Sequence, residues 1–202
     1  MRIIDRARRH LAEVGVSQST YDSLASSIGC SRGAILHHFP AKTDLLHAVL
    51  VHGAADTAAQ MEKVAGELRA VPPRDRLEAA LDRVWRVFRG HSARVTMELL
   101  VAARTDSGLL PAARRARSSL DAAWRGVGAA LGAQPQTTEL ALTGWSMICE
   151  RLAVEPCQAL PAEASIRRMM SALARSCTPD PCLLRPSHSP VAPFVEESEH
   201  VR

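Results

Sequence analysis

Arg32 is the side chain whose type and setting offer the most specific chemistry in this sequence. Its guanidinium is a planar fork of N–H donors that can bond both acceptors on the edge of a guanine. Gly33 and Ala34 follow, small enough to let a backbone approach such an edge closely, and Ser31 precedes it with a hydroxyl suited to capping a helix. A phosphate contact or a solvated surface position is the other reading of Arg32, and ordinary tight helix packing that of Gly33 and Ala34. Thr20 and Lys42 fall at expected helix starts, where free backbone N–H groups and the helix dipole favour phosphate oxygen. Simple capping and solvation are their plainer roles. His37 and His38 could join His47, His52 or Cys30 around a metal, but these spacings match no zinc pattern, so no metal and no cofactor are expected.

These residues need elements to hold them. From Ser19 to Leu46 the chain reads as a helix-turn-helix. The Ser19-Thr20 pair caps a short apolar-periodic segment carrying Leu24, Ala25 and Ile28, and Gly29 supplies the sharp turn. Ser31 then caps a second helix, predicted over Arg32 to Phe39, and Pro40 breaks the chain. In such a unit the second helix enters the major groove of DNA.

A first helix is predicted from Arg2 to Val14, with Gly15 as its C-terminal stop. Beyond the helix-turn-helix, apolar residues at helical spacing predict further helices over Lys42–Leu68, Arg74–Arg89, Ala93–Thr105, from near Pro111 to Gly132, over Thr138–Val154 and over Ala162–Arg175. Nearly half the 202 residues are apolar (47%) while aromatics make up only 3%, so the core is mainly Ala, Leu and Val. No long alternating run suggests a sheet, and the expected class is all-α. The pattern divides into a three-helix DNA-binding domain at 1–47, a larger helical ligand-binding and dimerisation domain at 48–177, and a tail at 178–202. The tail holds five prolines in 25 residues and is predicted to be disordered.

A net charge of +4 permits a polyanionic partner without demanding one. The cysteines Cys30, Cys149, Cys157, Cys177 and Cys182 form no C-x-x-C pair, and the N-terminus does not read as a signal peptide. No stretch is long and apolar enough to span a bilayer. The expectation is a soluble cytoplasmic protein with reduced thiols and no membrane partner.

The pattern T20-x-x-x-L-A-x-x-I-G-C-S-R-G-A-I-L-H-H-F-P-A-K42-x-x-L45 resembles the TetR/AcrR family of bacterial transcriptional regulators, over about a quarter of the chain. The remainder resembles that family only in plan. The resemblance implies a ligand-responsive homodimeric repressor that binds a palindromic double-stranded DNA operator through the helix at 32–39. It implies DNA contacts from Thr20, Ser31, Arg32, Gly33, Ala34, Leu36, His37 and Lys42, with His38 turned inward beside Phe39. Leu36 stands where the family usually has a phosphate-touching Tyr, and Met1 lies where a basic arm usually precedes the first helix. A third departure is Ala41, in place of a capping Ser.

In the larger domain Trp85, Phe88, Met97, Leu100, Arg104, Trp124 and Trp145 could line a cavity for a small apolar ligand, with Arg104 as its polar anchor. Plain core is the competing reading for each. The helices near 138–154 and 162–175 are apolar on several faces, which predicts a partner subunit over them. A different function class fits the same pattern: a dimeric ligand-binding or interaction protein whose degenerate helix-turn-helix binds DNA weakly. An enzyme is not expected, since no Ser/His/Asp set, Gly-rich phosphate loop or paired carboxylates stand out.

Overall fold

The N-terminal helix is amphipathic, and its Ala7 and Leu11 vanish completely from solvent where it meets the helix-turn-helix. The computed structural model describes residues 2–132. They form seven α-helices: α1 (Arg2–Val14), α2 (Tyr21–Ile28), α3 (Arg32–His38), α4 (Lys42–Arg69), α5 (Pro73–Phe88), α6 (His91–Ala102) and α7 (Leu110–Ala130). A single 3-10 turn, Ser107–Leu109, leads into α7, and no strand occurs among the described residues.

Local chemistry explains the boundaries. Gly15, Gly29 and Gly132 end helices at positive φ, the backbone region that lacks a steric penalty only for glycine. Pro73 begins α5 at a position where its missing N–H costs nothing. Most expected boundaries shift by a residue or more, and two of the shifts have a clear local cause. The helix predicted over Ala93–Thr105 is α6, His91–Ala102: it starts directly after Gly90, and turn hydrogen bonds from Arg104 to Val101 and from Thr105 to Ala102 close it early. The recognition helix stops at His38, because Phe39 caps it with a bond to the Ile35 carbonyl and leaves helical geometry.

Two apolar cores share the same pair of long helices. The first gathers Leu11, Leu24, Ile28 and Ile35 with Leu45, Val49 and Leu50 of α4, then Val95 and Leu99 of α6 and Ala112, Ala116 and Leu120 of α7. The second holds Met61, Val64 and Leu68 of α4, Val84, Trp85 and Phe88 of α5, and Ala123 and Val127 of α7. Thus α4 and α7 run parallel, N-terminal half on N-terminal half. The expected boundary at 47/48 falls inside α4, which continues from one core into the other without a break.

Helix α6 lies across α4 at close range. A Cβ on Gly53 would stand 2.6 Å from Thr96 Oγ1, so only glycine admits this approach. Outside the described residues lie Trp145, the expected dimer helices near 138–154 and 162–175, and the tail at 178–202.

Candidate nucleic-acid interface

The helix-turn-helix is organised by its caps. Thr20 accepts a hydrogen bond from the Ser23 backbone N–H at 3.1 Å, and Ser23 Oγ accepts one from the Thr20 N–H at 2.9 Å. This reciprocal pair satisfies two donors that a helix start leaves open. Buried His10 reaches the same hydroxyl from α1, its Nε2 lying 3.1 Å from Ser23 Oγ. Gly29 then turns the chain at φ 72°, and Ser31 caps α3 by accepting from the Ala34 N–H at 3.1 Å. Helix α4 has no side-chain cap from Ala41; instead Asp44 accepts from the Ala41 N–H at 2.9 Å.

Caps and core together fix which side chains remain outside. Ile35 is fully buried and anchors α3, so Ser31, Arg32, Gly33, Ala34 and His37 are all exposed on its outer side, with Thr20 exposed at the start of α2. Leu36 is half-buried. His38 departs from expectation: it is exposed beside His37, the two rings meeting edge to face at 5.3 Å, because Ile35 and Phe39 fill the inward positions. Arg32 keeps 59% of its side chain in solvent and places Nη1 3.4 Å from Asp22 Oδ1 on α2.

Sequence reasoning missed several contacts that brace this unit. Lys42 is half-buried, and its ammonium donates to the Val16 and Ser19 carbonyls, pulling the α1–α2 turn against the start of α4. The Arg6 guanidinium donates to the Ile28 carbonyl at the end of α2. Tyr21 donates its hydroxyl to the Phe39 carbonyl at 2.9 Å, tying the start of α2 to the end of α3. Partial burial raises the pKa of this phenol, the Asp44 carboxylate raises it further, and the Arg32 cation opposes them. From farther away, Glu98 of α6 accepts the Val16 N–H at 2.6 Å. Asp56 of α4 joins Arg8 of α1 (2.9 Å) and Ser92 of α6.

The expected ligand residues do not form one group. Trp85 and Phe88 are buried in the second core, where Phe88 stacks on half-buried Trp124 with ring centroids 5.8 Å apart. Met97 packs against both cores, whereas Leu100 packs against the first. Arg104 is exposed in the turn after α6 and is no anchor for the aromatic group, since the early end of that helix points it to solvent. The unpaired polar atom inside the aromatic group is Trp85 Nε1, which meets no acceptor among the described residues. No group of His, Cys, Asp and Glu able to hold a metal ion occurs among them. None of their helices is long and apolar enough to cross a membrane.

Residues 3–49 match the family described as bacterial regulatory proteins, tetR family. Two curated relatives align with the same end of the chain. The HTH-type transcriptional repressor Rv1474c of Mycobacterium tuberculosis is 49% identical over 47 residues, 23% of this chain and 25% of that protein. The HTH-type transcriptional repressor AcnR of Corynebacterium diphtheriae is 42% identical over 65 residues, 32% of each. The matches therefore span a quarter to a third of these relatives' length. Solved structures extend the likeness in fold to most of the chain. A TetR-family transcriptional regulator from Mesorhizobium loti superposes with a TM-score of 0.66 at 16% identity, covering 87% of this chain and 92% of its own. The multidrug binding protein EbrR, solved with ethidium, does so with a TM-score of 0.58 at 22% identity, covering 85% and 96%.

Proposed function

We propose that this chain, whose residues 3–49 match the TetR family of bacterial regulatory proteins, is a member of that family and a sequence-specific DNA-binding transcriptional repressor. The observation that carries this reading is the outer side of α3, where Arg32, Gly33, Ala34 and His37 stand exposed just past the Ser31 cap. Arg32 bonds a base edge, Gly33 and Ala34 let the helix sit deep, and Thr20, Ser31 and His37 contact the backbone and flanking bases. Lys42 still has an ammonium donor to spare for phosphate beyond the two carbonyls it holds. Leu36 adds apolar contact but no hydrogen bond.

One seven-residue helix reads too few base pairs for a specific site. The protein therefore acts as a homodimer, whose two recognition helices meet half-sites about 34–36 Å apart on a palindrome. An aromatic group of Trp85, Phe88 and Trp124, edged by Met97, forms the ligand-responsive part, and the Trp85 indole N–H, which meets no acceptor among the described residues, favours a ligand carrying one. The likeness in fold to a protein solved with ethidium agrees with a planar aromatic ligand. Contacts of Glu98 with Val16 and of Asp56 with Arg8 and Ser92 give the reading head and this group a shared mechanical route. A ligand releases DNA only insofar as it binds the two arrangements with different affinity.

The test is selection of bound duplexes from a random pool by the purified full chain, beside the Arg32→Ala variant. A recovered palindrome whose guanine preference disappears in the variant, with affinity falling steeply as salt rises, is the expected result. Weak binding with no preferred sequence, even at low salt, would overturn it in favour of a dimeric ligand-binding or interaction protein with a degenerate helix-turn-helix.

A further inference from the structure

Asp22 puts a negative charge on the side of the molecule proposed to meet phosphates. It lies two residues past the Thr20 cap, 74% of its side chain is in solvent, and its Oδ1 stands 3.4 Å from Arg32 Nη1. An acid in the first turn favours the helix dipole, yet on a DNA-facing surface it lowers affinity for every sequence alike. The pair's geometry gives the charge a selective use. Asp22 engages one nitrogen, Nη1, of a guanidinium that carries five N–H donors in a rigid plane. The rest of the fork remains available to the two acceptors of a guanine.

We propose that Asp22 is a positioning residue for base reading: it holds the Arg32 guanidinium so that its free edge faces the groove. The inference rests on the reading of Arg32 as the base-contacting side chain. A long arginine reaches either a base edge or a nearby phosphate. With Asp22 in place, a swing to phosphate surrenders one ion pair for another and leaves the carboxylate beside the DNA backbone without a partner. A guanine contact keeps the pair intact. Exposed ion pairs contribute little to folding, so this one matters through the orientation it enforces, and the water displaced by DNA strengthens it.

The test uses the purified full chain as wild type, Asp22→Asn, Asp22→Glu, Arg32→Ala and the Asp22→Asn/Arg32→Ala double variant. Each is titrated with the selected duplex, with that duplex carrying adenine for the guanine that Arg32 prefers, and with random duplex. Asp22→Asn is expected to bind random duplex about three- to tenfold more tightly, having lost a repulsive charge. Its preference for guanine over adenine falls by a similar factor, and Asp22→Glu restores part of it. In the Arg32→Ala background the same substitution leaves base preference unchanged. An equal gain on all three duplexes would reduce Asp22 to a repulsive charge and overturn the proposal. A loss of guanine preference that persists without Arg32 would also overturn it. A wild-type protein that selects no sequence removes the base-reading premise itself, a result distinct from both.

Discussion

Tyr21 is the only tyrosine of the chain, so its phenol reports on the helix-turn-helix without interference. Burial, aided by Asp44, raises its pKa above the ordinary 10.0. The folded state therefore favours the neutral phenol. The stabilisation is fully present below the unfolded value of 10.0 and is lost as pH rises through the higher folded value. Absorbance of the phenolate should appear at higher pH in the native protein than after unfolding in denaturant. Tyr21→Phe removes the bond to the Phe39 carbonyl and should cost about 1 kcal/mol at neutral pH, read from denaturant midpoints. That gap should narrow above pH 10.0, because the variant has no phenol to ionise. A gap that holds constant across this range would mean that the hydroxyl does not feel its surroundings.

At the scale of elements, what could be read from the sequence is what lies close along the chain. Thr20 and Ser31 as caps and Gly29 as the turn depend on bonds spanning three or four residues, and all three hold. Gly29→Ala forces a Cβ into left-handed backbone and should cost about 1–2 kcal/mol of stability in chemical denaturation, with weaker DNA binding. Polar contacts between elements were not legible, because periodicity says which face is buried but not which neighbour covers it. Glu98 and Val16 meet across 82 residues, a separation that no local pattern spans. Arg104 and His38 were misplaced for the same reason: the turn after α6 and the packing of Phe39 decide their directions. The crossing of α4 and α6 was equally hidden. There Thr96 Oγ1 is buried with no partner among the described residues, so Thr96→Val should raise stability by about 1 kcal/mol. A loss of stability would reveal a partner for that hydroxyl.

For the whole molecule, the proposed repressor depends on communication between the aromatic group and the reading head. Glu98→Ala strips the Val16 amide of its acceptor and should speed its hydrogen exchange while α4 and α7 stay protected. If α6 positions the head through this contact, DNA affinity of the variant should fall about three- to tenfold, well within ordinary coupling between sites. An exposed Val16 amide with unchanged DNA affinity would assign the coupling to Asp56, Arg8 and Ser92 instead.

The first apolar core carries one more consequence, for engineering. Leu11, Leu24, Ile35 and Leu45 of the reading head are sealed by Val49 and Leu50 farther along α4, by Val95 and Leu99, and by Ala112 and Ala116. Residues 1–47 cut out as a cassette would expose that lining and lose their fold. A chimera that grafts this head onto another sensor must therefore carry the facing residues of α6 and α7 with it. The transferable unit is the whole first core, assembled from three separate stretches of chain, and a splice inside α4 before Ala54 divides it.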